Sequence, residues 1–172
     1  MSVDDELQEH AEHAREPFDK KVAATMAVIA AALAIVSVLG QHFTTEELLS
    51  QQRASDLWSE YQGKRIRGYA SSVASDVFAT LKSPEMAKKY AAGVAHYDQD
   101  GKETQDKARE FEQESKLTGA QAVRLHMGEV FLEIGIVFAS LAILSRRPAL
   151  WLTGMVAGLA GAAIALTTLT LR

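Results

Sequence analysis

The chain has 172 residues, 22 acidic and 18 basic side chains and a net charge of −4, so it lacks the basic surplus that a nucleic-acid partner demands. It has no cysteine, which excludes a disulfide framework, a thiolate metal site and a cysteine nucleophile. A composition of 48% hydrophobic and 23% charged residues would suit a soluble helical protein, except that the two kinds are sorted into blocks.

Residues 1–21 form an acidic leader carrying Asp4, Asp5, Glu6, Glu9, Glu12, Glu16 and Asp19. Within it, Glu6, Glu9, His10, Glu12 and His13 have the helical spacing that can hold zinc, with His10 and His13 as candidate ligands. The plainer reading is an acidic, water-facing surface, so no metal or other cofactor is expected. Residues 22–40 contain no charge and are long enough for a first transmembrane helix, with Lys20 and Lys21 placed to snorkel at its start. The long acidic leader is unlike the basic start of a signal peptide, so this helix reads as an anchor that is kept.

Residues 41–128 are polar. Thr44-Thr-Glu-Glu47 is a capping-box pattern that either starts a helix or tightens a continuing one. Leu48, Leu57, Trp58, Tyr61, Ile66, Tyr69, Val73, Val77 and Leu81 then make a rough amphipathic stripe, interrupted by Gly63 and Gly68. Ser83-Pro84-Glu85 reads as a stop and restart. The return leg carries Met86, Tyr90, Val94 and Tyr97, passes the turn signal Asp100-Gly101, and enters a charge-rich run whose sticky side is Ala108, Phe111 and Leu117. No strand pattern occurs. The expectation is an antiparallel helical stalk of coiled-coil type, helical over Thr44–Leu81 and Pro84–Gly128. Its thin apolar face predicts packing against copies of itself or a partner.

Residues 129–145 form a second span, stopped by Arg146-Arg147-Pro148, and 149–171 a third. The fold class is therefore all-α, an integral membrane protein with three transmembrane helices and a long extramembrane hairpin between spans one and two. Each span has a small-residue face: Ala23, Ala27, Ala30 and Ala34; Gly135, Ala139 and Ala142; Gly154, Gly158, Gly161 and Ala165. Such faces drive helix association in lipid, and three of them predict a homo-oligomer.

His126, Glu129 and Glu133 share one helical face at the start of span two and are candidates for an ion or proton site. Glu133 lies inside the apolar block, where a charge costs on the order of 3 kcal/mol, so it needs water, a partner or a bound proton. The plainer alternative is an interfacial acid that reaches the headgroup region and pairs with Arg124 or a neighbouring helix. Tyr61-Gln-Gly-Lys64-Arg65-Ile66-Arg67 is a basic and aromatic cluster that either meets anionic headgroups or pairs with acids on the return leg. No nucleophile elbow, phosphate loop, dinucleotide loop or His-Glu-x-x-His motif is present, so an enzyme is not expected.

Leu57-Trp58-Ser-Glu-Tyr61-Gln62-Gly-Lys64-Arg-Ile66-Arg67 and Glu133-Ile-Gly-Ile-Val-Phe-Ala-Ser140-Leu-Ala-Ile resemble the two signature stretches of a bacterial membrane family, catalogued as domain of unknown function 4337. Gly63 stands where that family tends to have alanine, and Glu133 where glutamine is expected. The resemblance implies a bacterial inner-membrane location and marks Trp58, Tyr61, Gln62, Lys64 and Arg67 as candidate partner contacts. It implies no activity.

The functional expectation is a non-enzymatic, self-associating membrane protein whose stalk acts as a scaffold or partner-binding module. The rival readings are an oligomeric pore for ions or protons, and an accessory subunit of a larger membrane complex; the partners in all three are membrane lipid and protein. Lys20-Lys21 and Arg146-Arg147 fall on one side of the membrane, which places the N-terminus in the cytoplasm and 41–128 in the periplasm. Single cysteines introduced at Asp4 and Gln105 should therefore label oppositely with an impermeant thiol reagent in intact cells. Labelling at Asp4 with protection at Gln105 would invert the topology.

Overall fold

The computed structural model describes residues 17–170. Helix α1 runs Pro17–Thr80, α2 Pro84–Ser145 and α3 Pro148–Leu166, followed by a 3-10 turn at Thr167–Thr170. The described residues contain no strand. The chain's 3 prolines each open a helix, where the missing N–H is no loss and the fixed φ is already helical. Three helices are long and apolar enough to cross a membrane.

The reversal between α1 and α2 falls at Leu81–Ser83. The Ser83 N–H donates to the Phe78 carbonyl and the Lys82 N–H to that of Ala79, with Lys82 at φ 54°. This is a Schellman closure in which lysine takes the left-handed position usually given to glycine. Arg146 has a similar φ of 53° between α2 and α3. Asp100-Gly101, in contrast, makes no turn: it lies inside α2, as Gly63 and Gly68 lie inside α1, and no glycine among the described residues has a positive φ. Gly101 faces the Tyr61 ring, where a Cβ would sit 3.6 Å from Tyr61 Cε2, an ordinary van der Waals contact.

The chain divides into two compact units, Met1–Thr44 with Gly119–Arg172, and Thr45–Thr118. The polar stretch inferred from composition is thus trimmed at both ends. Gln41–Thr44 and Gly119–Gly128 belong with the apolar unit, where Gly40 lies against His126 and Gly128 against Gly161.

In the apolar unit, Ile29, Val36, Leu125, Leu132 and Ala165 form the core. Helices α2 and α3 meet through glycines. A Cβ on Gly161 would lie 2.6 Å from the Gly128 carbonyl oxygen, and one on Gly154 2.7 Å from that of Gly135. Gly158 faces α1 instead, its Cβ position 3.0 Å from Ile29 Cδ1. The small face of α3 is therefore occupied within the chain, whereas Ala23, Ala27, Ala30 and Ala34 of α1 point outward. Trp151 also turns inward, donating from Nε1 to Thr25 Oγ1 at 3.2 Å with its ring edge-on to Phe18. Outside the bundle stand Val28, Ile35, Val137, Leu144, Leu152 and Leu159, the inverse of a water-soluble surface.

The polar unit packs differently from the amphipathic reading. Its buried positions are Ser50, Ala54, Gly101, Thr104, Ala108 and Thr118. Leu48, Ile66, Tyr69, Val73, Val77 and Leu81, expected to form the sticky face, are exposed. Two helices pressed close accept small residues along the seam and expel large ones. Near the tip Phe78 stacks on Tyr90 at 5.4 Å, and Ser75 Oγ donates to the Ala87 carbonyl at 3.1 Å.

The glycine contacts give a graded expectation. Gly161→Ala drives a methyl into backbone and should cost about 1–3 kcal/mol, while Gly158→Ala meets only side-chain atoms of Ile29, Cδ1 at 3.0 Å and Cγ1 at 3.2 Å, and should cost less. Thermal denaturation of both variants in mild detergent, with Val156→Ile as a lipid-facing control, measures the difference.

Candidate functional site

Two groups of candidate residues lie on α1 and α2, one in each unit. In the polar unit, Trp58 and Lys64 of the aromatic and basic cluster hold the two legs together. Trp58 Nε1 donates to Glu112 Oε1 at 2.8 Å across the seam. Lys64 Nζ reaches Glu60 at 2.7 Å on its own helix, and Asp100 at 3.0 Å and Thr104 at 2.7 Å on the other. Its side chain is only 14% exposed, so this is a cross-leg clamp rather than a free cation. Arg65 donates to the hydroxyls of Tyr61 and Tyr69 and lies over both rings. Gln62 and Arg67, two residues of the same motif, are exposed.

Electrostatics here follow from those pairs. The Glu60 carboxylate, then that of Asp100, holds the Lys64 ammonium above its ordinary 10.5. Lys102 holds Asp98 below the usual carboxylate range, and Lys107 does the same for Glu103, each as a pair four residues apart on one helix.

In the apolar unit, His126 sits where α1 and α2 meet. Its Nδ1 is 3.1 Å from Glu129 Oε2 and its Nε2 3.2 Å from Thr44 Oγ1. Gly40 makes room for the ring, since a Cβ there would lie 3.2 Å from His126 Cε1. The Thr44 hydroxyl also donates to the Gly40 carbonyl at 2.9 Å, which leaves its oxygen to accept from His126 when Nε2 carries a proton. Ser37 adds a hydrogen bond to Glu129. Thr44 and Ser37 are invisible to a search of α2 alone, because they reach the site from α1; an antiparallel register set by the Lys82 reversal would have found them.

Glu133 is not joined to this network. It is exposed, one turn beyond Glu129, and no hydrogen bond or ion pair reaches it among the described residues. The expected pairing with Arg124 is overturned: Arg124 donates to the Thr167 carbonyl at 3.1 Å. Nine positions separate the two residues, about two and a half helical turns, which puts them on opposite faces of α2.

Among the described residues no group of three or more histidines and carboxylates is placed to hold a metal ion. His10 and His13 lie outside the described residues.

A family model described as "Domain of unknown function (DUF4337)" matches residues 18–171. No curated protein and no solved structure matches the chain.

The Lys64 clamp yields a pH dependence of known sign. A folded-state pKa raised above the unfolded value gives stability that is full below about 10.5 and is lost as pH climbs through the folded value. Lys64→Met should lower the melting temperature of the polar unit, followed by Trp58 fluorescence, by a few degrees at neutral pH. The gap between variant and wild type should close in strong alkali.

Proposed function

From the premise that the chain belongs to the family of domain of unknown function 4337, whose description names no activity, we propose a non-enzymatic, self-associating protein of the bacterial inner membrane. Its spans anchor it, its N-terminus is cytoplasmic, and its polar hairpin is a periplasmic surface for assembly.

The observation that carries this reading is the outer face of the polar unit. Ile66, Tyr69, Val73, Val77 and Leu81 fall within about a third of the circumference of α1 and are between 49% and 68% exposed. Exposed aliphatics in the apolar unit face lipid at no cost. This stripe has Arg65, Arg67 and Asp76 beside it, so it stands in water, where an unburied apolar strip some 22 Å long marks an interaction surface. Its spacing of threes and fours is that of a helix seam.

A second copy is the simplest partner. Confinement to one bilayer raises the effective concentration of identical stripes without any new contact. The apolar core of the single chain, Ile29, Val36, Leu125 and Leu132, holds no polar path, so conduction finds no support within one copy.

Photobleaching steps of labelled protein in lipid nanodiscs read the copy number directly. Wild type should be multimeric, and Ile66→Glu with Val73→Glu should shift at least about three-fold more of the population to single copies. Monomeric wild type would overturn self-association, and purification with other chains in fixed ratio would favour the accessory-subunit reading.

A further inference from the structure

Resting on the self-association reading, we propose that Glu133 forms a carboxyl–carboxylate pair with Glu133 of a second copy, the two side chains sharing one proton. The pair closes the association inside the membrane, by chemistry separate from the stripe on the polar unit.

The case begins with what Glu133 lacks. One turn nearer the water, Glu129 has His126 on its own helix and Ser37 on α1. One and two turns deeper, α1 presents Ala34 and Ala30 in place of that serine, both exposed and neither able to hydrogen-bond. Helix α3 packs on the other side of α2, through Gly128 and Gly135. The titratable groups on the Glu133 side of the bundle are thus Glu129 and His126, and these are already joined to each other.

Where neither water nor a headgroup reaches Glu133, its partner comes from outside the chain; a second copy is the proposed source, and the chain narrows what it can offer. The hydroxyls in the apolar stretches are committed. Thr25 donates to the Lys21 carbonyl, Ser140 to Val137, Ser145 to Leu141, Thr153 to Ala149, Thr167 to Ile164 and Thr168 to Ala165. Ser37 is bonded to Glu129, and the Trp151 N–H to Thr25. These bonds commit the hydroxyl protons, so within these stretches the side-chain proton left to donate to a Glu133 carboxylate is that of another Glu133.

Copies inserted with one topology hold Glu133 at one depth, so the group each can offer the other is the same carboxyl. Two carboxylates at hydrogen-bond distance cannot both stay ionised, and one proton held between them satisfies both. The pair holds one proton: two ionised chains take it up from water on pairing, two protonated chains give one up, and well above the carboxyl range only the uptake remains, against a falling proton supply. Ala30 and Ala34 beside the acid leave room for a neighbouring helix to come close.

The test uses full-length protein, donor- and acceptor-labelled, in phosphatidylcholine vesicles buffered on both sides at about pH 5.5 or about pH 9, values that bracket carboxyl-pair titration. Wild type should associate at the lower pH and at least about three-fold more weakly at the higher. Glu133→Gln should associate equally at both, because an amide donates and accepts without a proton. It also keeps His126 and Glu129, so it isolates their contribution. Glu133→Leu should associate at least about three-fold more weakly than wild type at the lower pH. Association of wild type that ignores pH, a Glu133→Gln variant as pH-sensitive as wild type, or a Glu133→Leu variant as tightly associated as wild type would each overturn the pair. If wild type associates in those cases, self-association stands without it. Wild type that fails to associate at either pH removes both.

Discussion

Backbone-to-backbone approach between α2 and α3 is the contact on which the apolar unit depends. In lipid no hydrophobic force brings two helices together, because the tails are as apolar as leucine; what remains is close packing. Gly128, Gly135, Gly154 and Gly161 supply it by presenting carbonyls where side chains would stand. With that pair fixed, α1 lies across it through Ile29 on Gly158 and Thr25 on Trp151. The larger aliphatics are then free to turn outward, which is where a bilayer solvates them.

The polar unit solves a related problem in another solvent. Its seam is made of serine, threonine, alanine and glycine, too small to bury much apolar area, so specificity comes from directional bonds. Lys64 bridges Glu60, Asp100 and Thr104, and Trp58 meets Glu112. A seam of this kind fixes register well and contributes modest stability, which leaves the exposed apolar side chains of α1 available for work between molecules.

Much of this was legible in the sequence. Charge-free blocks marked the apolar segments, and Ser83-Pro84 marked the reversal, because proline and segregated polarity act locally. The glycine spacing of α3 announced a packed face, but periodicity does not say which helix fills it; the answer lay in α2, whose Gly128 and Gly135 repeat at the same interval. The hairpin stripe was seen, but it divides into half-buried Leu57, Trp58 and Tyr61 and exposed Ile66, Tyr69, Val73 and Val77, since a helical pattern does not say whether neighbour or water meets each residue. Asp100-Gly101 misled because a turn dipeptide permits a turn and does not compel one when both flanks are helical. The Thr44–His126–Glu129 group joins positions far apart in the chain, so only the antiparallel register brings it together.

The placement of the indoles has an experimental consequence. The chain has 2 tryptophans, Trp58 in the polar unit and Trp151 in the apolar one, and each N–H is tied to a named acceptor across a helix seam. Replacing either by phenylalanine leaves a single indole, which can be excited apart from the tyrosines and whose emission wavelength follows one unit and ignores the other. Optical spectroscopy alone can then decide whether the two halves melt as one cooperative body or in succession, with no dye or tag attached.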